Sequence, residues 1–232
     1  MSWRAHALDA GDVVNARGSE GGFRDGAAVT SVASNGRVLL SGHGTLPFAG
    51  RVMDRKWPGG SGKSDSLRAL DGDQFWYGKF LMGELNAQVD WGLADFSDST
   101  LSATHPGTGT SAPFSVGDIP SVGDRLRHWS RFENRGAWRY GRFKERVATS
   151  PTVTLPDGSG HNYSPAWIIE PAQPSPVFSQ EGDSGSLVFD VYGYAVGTVV
   201  AGDSDSGLSL VIPLGGLLRA LEDAGHRQLF FA

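Results

Sequence analysis

The chain has 232 residues, no cysteine, 39% hydrophobic residues and a formal net charge of −5. These exclude disulfides and thiolate metal sites, and the acidity argues against a surface built for nucleic acid or an anionic membrane. The 33 glycines and 12 prolines show no collagen-like period, so they read as turns between short strands: an all-β unit whose length suits two packed barrels. No apolar run reaches the roughly 18 residues of a membrane span, and the polar start Met1-Ser2-Trp3-Arg4 lacks a signal-peptide core. The expectation is a soluble, cytoplasmic chain, with secretion left open.

In chain order, residues 1–27 are Gly-rich and read as an early strand plus a loop. Ala28 to Leu40 reads as two strands around Ser34-Asn35-Gly36, Asn-Gly being a strong hairpin signal. Trp57 to Ser66 is predicted as a loop, and Phe75–Leu81 and Val89–Phe96 as strands. Residues 97–112, rich in Ser, Thr, Gly and Pro, suit a linker between an N-terminal unit, 1–112, and a C-terminal one, 113–232. Further strands are predicted at Arg125–Phe132, Trp138–Val147, Thr152–Leu155, Ala166–Ile169, Ser186–Phe189, Ala195–Val200 and Leu208–Ile212. Pro213 to Gly225 is the one clear helix, with Leu214, Leu217, Leu218 and Leu221 on one face and Gly225 as its stop.

The sharpest chemical signal is Glu181-Gly182-Asp183-Ser184-Gly185-Ser186, followed by Leu187-Val188-Phe189. Small neighbours let a serine sit on a tight turn, where the Gly182 and Ser184 N–H groups can converge on one oxygen as an oxyanion hole. The string resembles the serine motif of chymotrypsin-like peptidases. Serine is a weak nucleophile and needs a base. The resemblance implies a His after an upstream apolar strand, which Val38-Leu39-Leu40-Ser41-Gly42-His43 matches. It also implies an Asp heading a later strand, which Val89-Asp90-Trp91-Gly92-Leu93 matches. Val196 to Gly202 and Leu210-Val211-Ile212-Pro213 resemble the disulfide-free fungal and microbial members.

What the resemblance implies is a fold of two six-stranded antiparallel Greek-key barrels with a C-terminal helix, and a serine endopeptidase with the triad His43, Asp90 and Ser184. It also implies a substrate pocket with Phe178 and Ser179 at its base and Val199, Val200, Ala201 and Gly202 along one wall. No acidic residue stands at that base, which points to a small or apolar residue before the cleaved bond. A polypeptide is the expected partner; no cofactor or metal is implied. Two departures stand out. Gly42 replaces the usual Ala, which reads as a looser His43 loop. No Ile-Val-Gly-Gly segment follows a basic residue, so Asp183 needs a partner other than the usual new N-terminus, unless cleavage after Arg17 provides one. These departures keep open a catalytically silent peptide-binding module on the same fold.

Other motifs have plainer readings. Arg125 to Arg146 interleaves basic and aromatic residues, as a single-stranded nucleic-acid binder would. The spacing near 2 favours two strands with solvated arginines on one face and core aromatics on the other. Gly59-Gly60-Ser61-Gly62-Lys63-Ser64 lacks the first glycine of a phosphate loop, and Asp203-Ser204-Asp205-Ser206-Gly207 lacks the closing Glu of a calcium loop. The remaining histidines are scattered among loops and strand ends, with His161, in the second unit's loops, the one of most interest, and Asn162-Tyr163-Ser164 is a glycosylation sequon.

Overall fold

The computed structural model describes residues 13–16, 27–33, 35–45, 55–57, 66–71, 74–96, 104–105, 107–130, 136–155, 159–180, 182–203 and 205–232. The phosphate-loop-like segment 59–64, Arg17 and Glu181 lie outside them.

The first half forms β1 (Val13–Ala16), β2 (Ala27–Val32), β3 (Arg37–Leu40), β4 (Arg55–Trp57), β5 (Ser66–Asp71), β6 (Gln74–Leu85) and β7 (Asp90–Asp95). They make one antiparallel sheet in the order β4-β6-β5-β1-β2-β3-β7, and a β6–β7 pairing brings it back on itself. The six expected strands become seven because β6, at 12 residues, pairs with β5 along its first half and β4 along its second. Asn35-Gly36 turns β2 into β3 as the sequence predicts, with Gly36 N–H bonding Ala33 O at 3.1 Å.

The second half contains β8 (Arg125–Ser130), β9 (Ala137–Val147), β10 (Val153–Thr154), β11 (Gly160–His161), β12 (Ala166–Pro171), β13 (Leu187–Phe189), β14 (Ala195–Gly202) and β15 (Ser209–Pro213). Six close a barrel in the order β12-β15-β14-β13-β8-β9, while β10 and β11 form a separate hairpin. Leu126, Phe143, Trp167, Val188, Val199 and Val211 fill this barrel. Burying each such side chain stabilises the fold by about 1.5–3 kcal/mol.

On β9 the exposed Arg142 and Lys144 flank the buried Phe143, as the period of 2 predicts. The solvated-arginine face ends there. Arg139 is only 7% exposed, and Arg127 lies 4.3 Å over the Trp138 ring. Arg139 falls on the same side of β9 as the buried Gly141 and Phe143, and its charge is the smallest of the influences that lower the Asp183 carboxyl.

One-turn helix α1 (Gly42–Thr45), absent from the sequence prediction, follows β3. The predicted C-terminal helix is α2 (Leu214–Asp223), burying Leu214, Leu217 and Leu221. It ends in a Schellman motif: Gly225 adopts φ +75°, its N–H bonds Glu222 O at 2.9 Å, and His226 N–H bonds Leu221 O at 2.8 Å. A short α3 (Arg227–Phe230) follows. Among the described residues, no helix is long and apolar enough to cross a membrane.

One hydrophobic cluster crosses between the halves. Leu39, Val89 and Trp91 of the first pack with Phe189, Leu214 and Leu217 of the second. This shared core brings the end of β3, the start of β7 and the second barrel to one place.

Candidate active site

β3 delivers Ser41, Gly42 and His43 at its C-terminal end, and β7 begins with Asp90, because β3 and β7 pair with Leu40 opposite Gly92. The Asp90 carboxylate is fully buried. Its Oδ1 accepts the His43 backbone N–H at 2.8 Å, and its Oδ2 accepts the His43 Nδ1–H. The backbone bond satisfies an N–H at the start of α1, where no preceding carbonyl of the turn can accept it. Ser41 Oγ donates to Asp90 Oδ2 at 3.3 Å and lies 3.0 Å from His43 Nδ1. Tyr163 Oη donates to the same Oδ2 at 3.0 Å.

Gly42 is not a source of looseness. A Cβ on it would stand 2.8 Å from Asp90 Oδ1 and 3.0 Å from the Trp91 backbone. Glycine is what lets the two strands approach closely enough for the carboxylate to reach His43.

These contacts set the charges. Burial works against the His43 imidazolium, but the charge and hydrogen bond of Asp90 outweigh it, holding His43 above the ordinary histidine value. Burial likewise opposes the Asp90 carboxylate. His43, its backbone N–H and the Tyr163 hydroxyl outweigh that and hold Asp90 below the ordinary range. Burial, then the charge of Asp90, push the Tyr163 phenol well up, so it stays a donor.

Ser184 sits on the turn between Phe178 and β13. Gln180 N–H bonds Asp183 Oδ2 and Asp183 N–H bonds Gln180 O, both at 3.0 Å. Gly185 N–H bonds Val199 O at 2.8 Å, and Ser186 N–H bonds Asp183 O at 2.9 Å. Gly182 takes φ +90°, a conformation suited to glycine. Among the described residues, the Gly182 and Ser184 N–H groups have no partner. The Ser184 hydroxyl donates to Val200 O at 3.1 Å, and among the described residues it makes no hydrogen bond to His43.

Asp183 turns inward and is 1% exposed. The partner missing from the sequence is His128 of β8, itself 0% exposed, with Nε2 3.8 Å from Asp183 Oδ2. The same Nε2–H donates to Phe178 O at 2.6 Å. One imidazole thus faces both ends of the segment that carries Ser184. Burial raises the Asp183 carboxyl above its ordinary value; His128, Ser130, Gln180 and Arg139 only partly offset it.

The Phe178 ring is fully buried, edge-on to His128 at 4.9 Å. Ser179 Oγ donates to Ser209 Oγ at 2.7 Å, and Ser209 Oγ accepts Ser179 N–H at 3.0 Å. Opposite, Gly202 approaches so closely that a Cβ would lie 3.0 Å from Ser179 O. Val199 and Val200 are buried, Ala201 half-buried and Gly202 exposed.

The remaining candidates have local roles. His161 Nε2 donates to Asn86 O at 3.1 Å, and its ring packs 4.7 Å from that of Tyr163. Asn162 Nδ2 donates to Ser150 O at 2.9 Å. Asp203 and Gly207 lie between β14 and β15, with Gly207 N–H bonding Asp203 O at 2.8 Å. No group of three His, Cys, Asp or Glu fit to hold a metal occurs among the described residues. Tyr163 and Ser41 are absent from the sequence-derived set.

This arrangement of two β units, a buried His–Asp pair and a serine on a Gly-flanked turn is the fold of chymotrypsin-like serine proteases. Solved structures agree. A chymotrypsin of Cellulomonas bogoriensis superposes with a TM-score of 0.58 at 17% identity, over 93% of this chain and 96% of that one. A glutamic acid-specific serine protease, described as using a histidine triad in substrate binding, gives 0.57 at 18% identity, over 94% and 98%. A Nocardiopsis protease gives 0.54 at 16%, over 92% and 97%. No family model matches the chain, and no curated protein does.

Proposed function

We propose that the chain is a serine endopeptidase acting through an acyl-enzyme, with His43, Asp90 and Ser184 as its triad. The observation that carries the reading is the His43–Asp90 pair. A fully buried carboxylate takes both the backbone N–H and the Nδ1–H of His43, leaving Nε2 as the free basic nitrogen, the tautomer a general base needs. Ser184 Oγ gives its proton to Nε2 as it attacks the peptide carbonyl. The Gly182 and Ser184 N–H groups hold the developing oxyanion. His43 passes the proton to the departing amine as the C–N bond breaks. It then deprotonates a water, which attacks the ester carbon and releases the acid, and the proton returns to Ser184.

The close approach of Gly202 to Ser179 supports a small residue, Gly or Ala, before the cleaved bond, and the exposed end of β14 at Ala201-Gly202 suits pairing with an extended peptide. The division at 112/113 into two units, with His43 and Asp90 on one and Ser184 on the other, belongs to the same proposal.

Fluorophosphonate labelling followed by intact mass tests it. A single adduct on wild type, absent from Ser184→Ala and strongly slowed in His43→Ala, is expected. Folded wild type that takes no label at neutral pH would sink the triad and favour a silent peptide-binding module. The Ser184 bond to Val200 O is the observation on that side, and peptide binding unchanged by Ser184→Ala would then be expected.

A further inference from the structure

Tyr163 sits 73 residues after Asp90 in sequence and in the other half of the fold, yet its hydroxyl donates to the triad carboxylate at 3.0 Å. It is 0% exposed. Its main chain is anchored at both ends: its N–H bonds Ser150 Oγ at 2.9 Å, and its carbonyl accepts Ser150 N–H at 2.8 Å. Its neighbours fasten onto the β6–β7 turn that leads into Asp90. His161 Nε2 donates to Asn86 O at 3.1 Å, and Ser164 N–H to Ala87 O at 2.5 Å. Within that turn, Asn86 Oδ1 accepts the Gln88 and Val89 N–H groups at 2.7 and 3.1 Å. The segment 161–164 is therefore a strut running from the second half to the residue that orients His43.

We propose that Tyr163 is a positioning residue for catalysis, which fixes Asp90 across the interface between the two halves and shares its charge with His43. The proposal rests on the reading of His43, Asp90 and Ser184 as a triad. A carboxylate oxygen has room for several donors, and Oδ2 takes Tyr163, Ser41 and His43 at once. The phenol draws part of the negative charge away from the imidazole. Without it, more of that charge faces His43 and the imidazolium is favoured, so the free base appears only at higher pH. Among the described residues, the titratable groups around Asp90 are few. His43 faces it from α1 and Tyr163 from the strut; His161 lies behind the Tyr163 ring, and Glu84 of β6 is one residue removed, accepting from Asn86 Nδ2 at 2.7 Å.

The test compares wild type with Tyr163→Phe, which keeps the ring. Active sites are counted by fluorophosphonate titration, and kcat and KM on a chromogenic peptide ester are followed against pH. Per active site, kcat should fall roughly ten- to hundredfold, the scale of one hydrogen bond to a charged group. KM should stay unchanged, and the acid limb of kcat/KM should move to higher pH. A second protein, grown with 3-fluorotyrosine at all 5 tyrosines, keeps the fold while making the phenol a stronger donor, and its limb should move to lower pH. It decides the matter if Tyr163→Phe does not fold. Wild type that takes no label defeats the triad reading itself. Wild type that labels normally, with both limbs unmoved, overturns the role of Tyr163 alone. Fewer active sites with an unmoved limb would show a merely structural tyrosine and overturn it too.

Discussion

The two halves of the molecule bring their parts of the site in opposite states. In the first, the His43–Asp90 pair is closed: both carboxylate oxygens are occupied and the imidazole tautomer is set. In the second, Ser184 is bonded to Val200 O, and Asp183 is buried with Oδ1 lacking a partner among the described residues. A base can be preassembled because its groups satisfy one another. On the proposed function the Ser184 turn cannot, because its N–H groups have to stay unclaimed until a carbonyl arrives.

The largest expected effect removes the contrast altogether. Ser184→Ala or His43→Ala should lower kcat on the order of 10⁴-fold or more, measured with a chromogenic ester. The two together should cost little more than either, because the groups act as a unit.

His128→Ala probes the second half alone. It takes the donor away from Phe178 O and the nearest imidazole away from Asp183, so chemical denaturation should show a loss of about 1–3 kcal/mol, the cost of leaving a buried acceptor unsatisfied. The His43–Asp90 signal in the low-field proton spectrum should survive. If that signal vanished as well, the halves would not be separable in this way.

Gly42→Ala probes the first half. The added methyl meets Asp90 Oδ1 at 2.8 Å, and overpacking of this kind costs about 1–3 kcal/mol. A melting temperature equal to wild type, with full activity, would show that the contact relaxes freely.

A subtler effect concerns pH. Because Asp90 holds His43 above its ordinary value, the acid limb of kcat/KM should lie above the pH at which a free histidine titrates. The matching stability has the same sign. What the imidazolium contributes is complete below the unfolded value and is lost as pH rises through the folded one. In Asp90→Asn that pH-dependent part of the stability should vanish. The smallest effect is expected at Arg142→Ala on the solvated end of β9, within about 0.5 kcal/mol in stability.

Much of this was legible from sequence because it is written locally. Asn35-Gly36 encodes a hairpin, the Leu214–Leu221 spacing a helix face, and Gly182–Gly185 a tight turn. His43 and Asp90 could be found because one follows an apolar strand and the other heads one, in the order the resemblance implies. What escaped is written in tertiary contacts. Tyr163 shares no periodicity with Asp90. Helix α1 is a single turn at the end of β3, and β11 is too short to show a pattern. Gly42 reads as slack until Trp91 is placed beside it. Arg139 and His128 look like solvated strand residues, since nothing local announces the buried Asp183 carboxylate.

The cluster that joins Val89 and Trp91 to Leu214 and Leu217 has a consequence for timing during synthesis. The surface on which the start of β7 rests includes α2, made more than a hundred residues after it. Contacts so remote in sequence form late in folding. On the proposed function, the His43–Asp90 pair lacks part of the surface it rests on until α2 has been made and has docked.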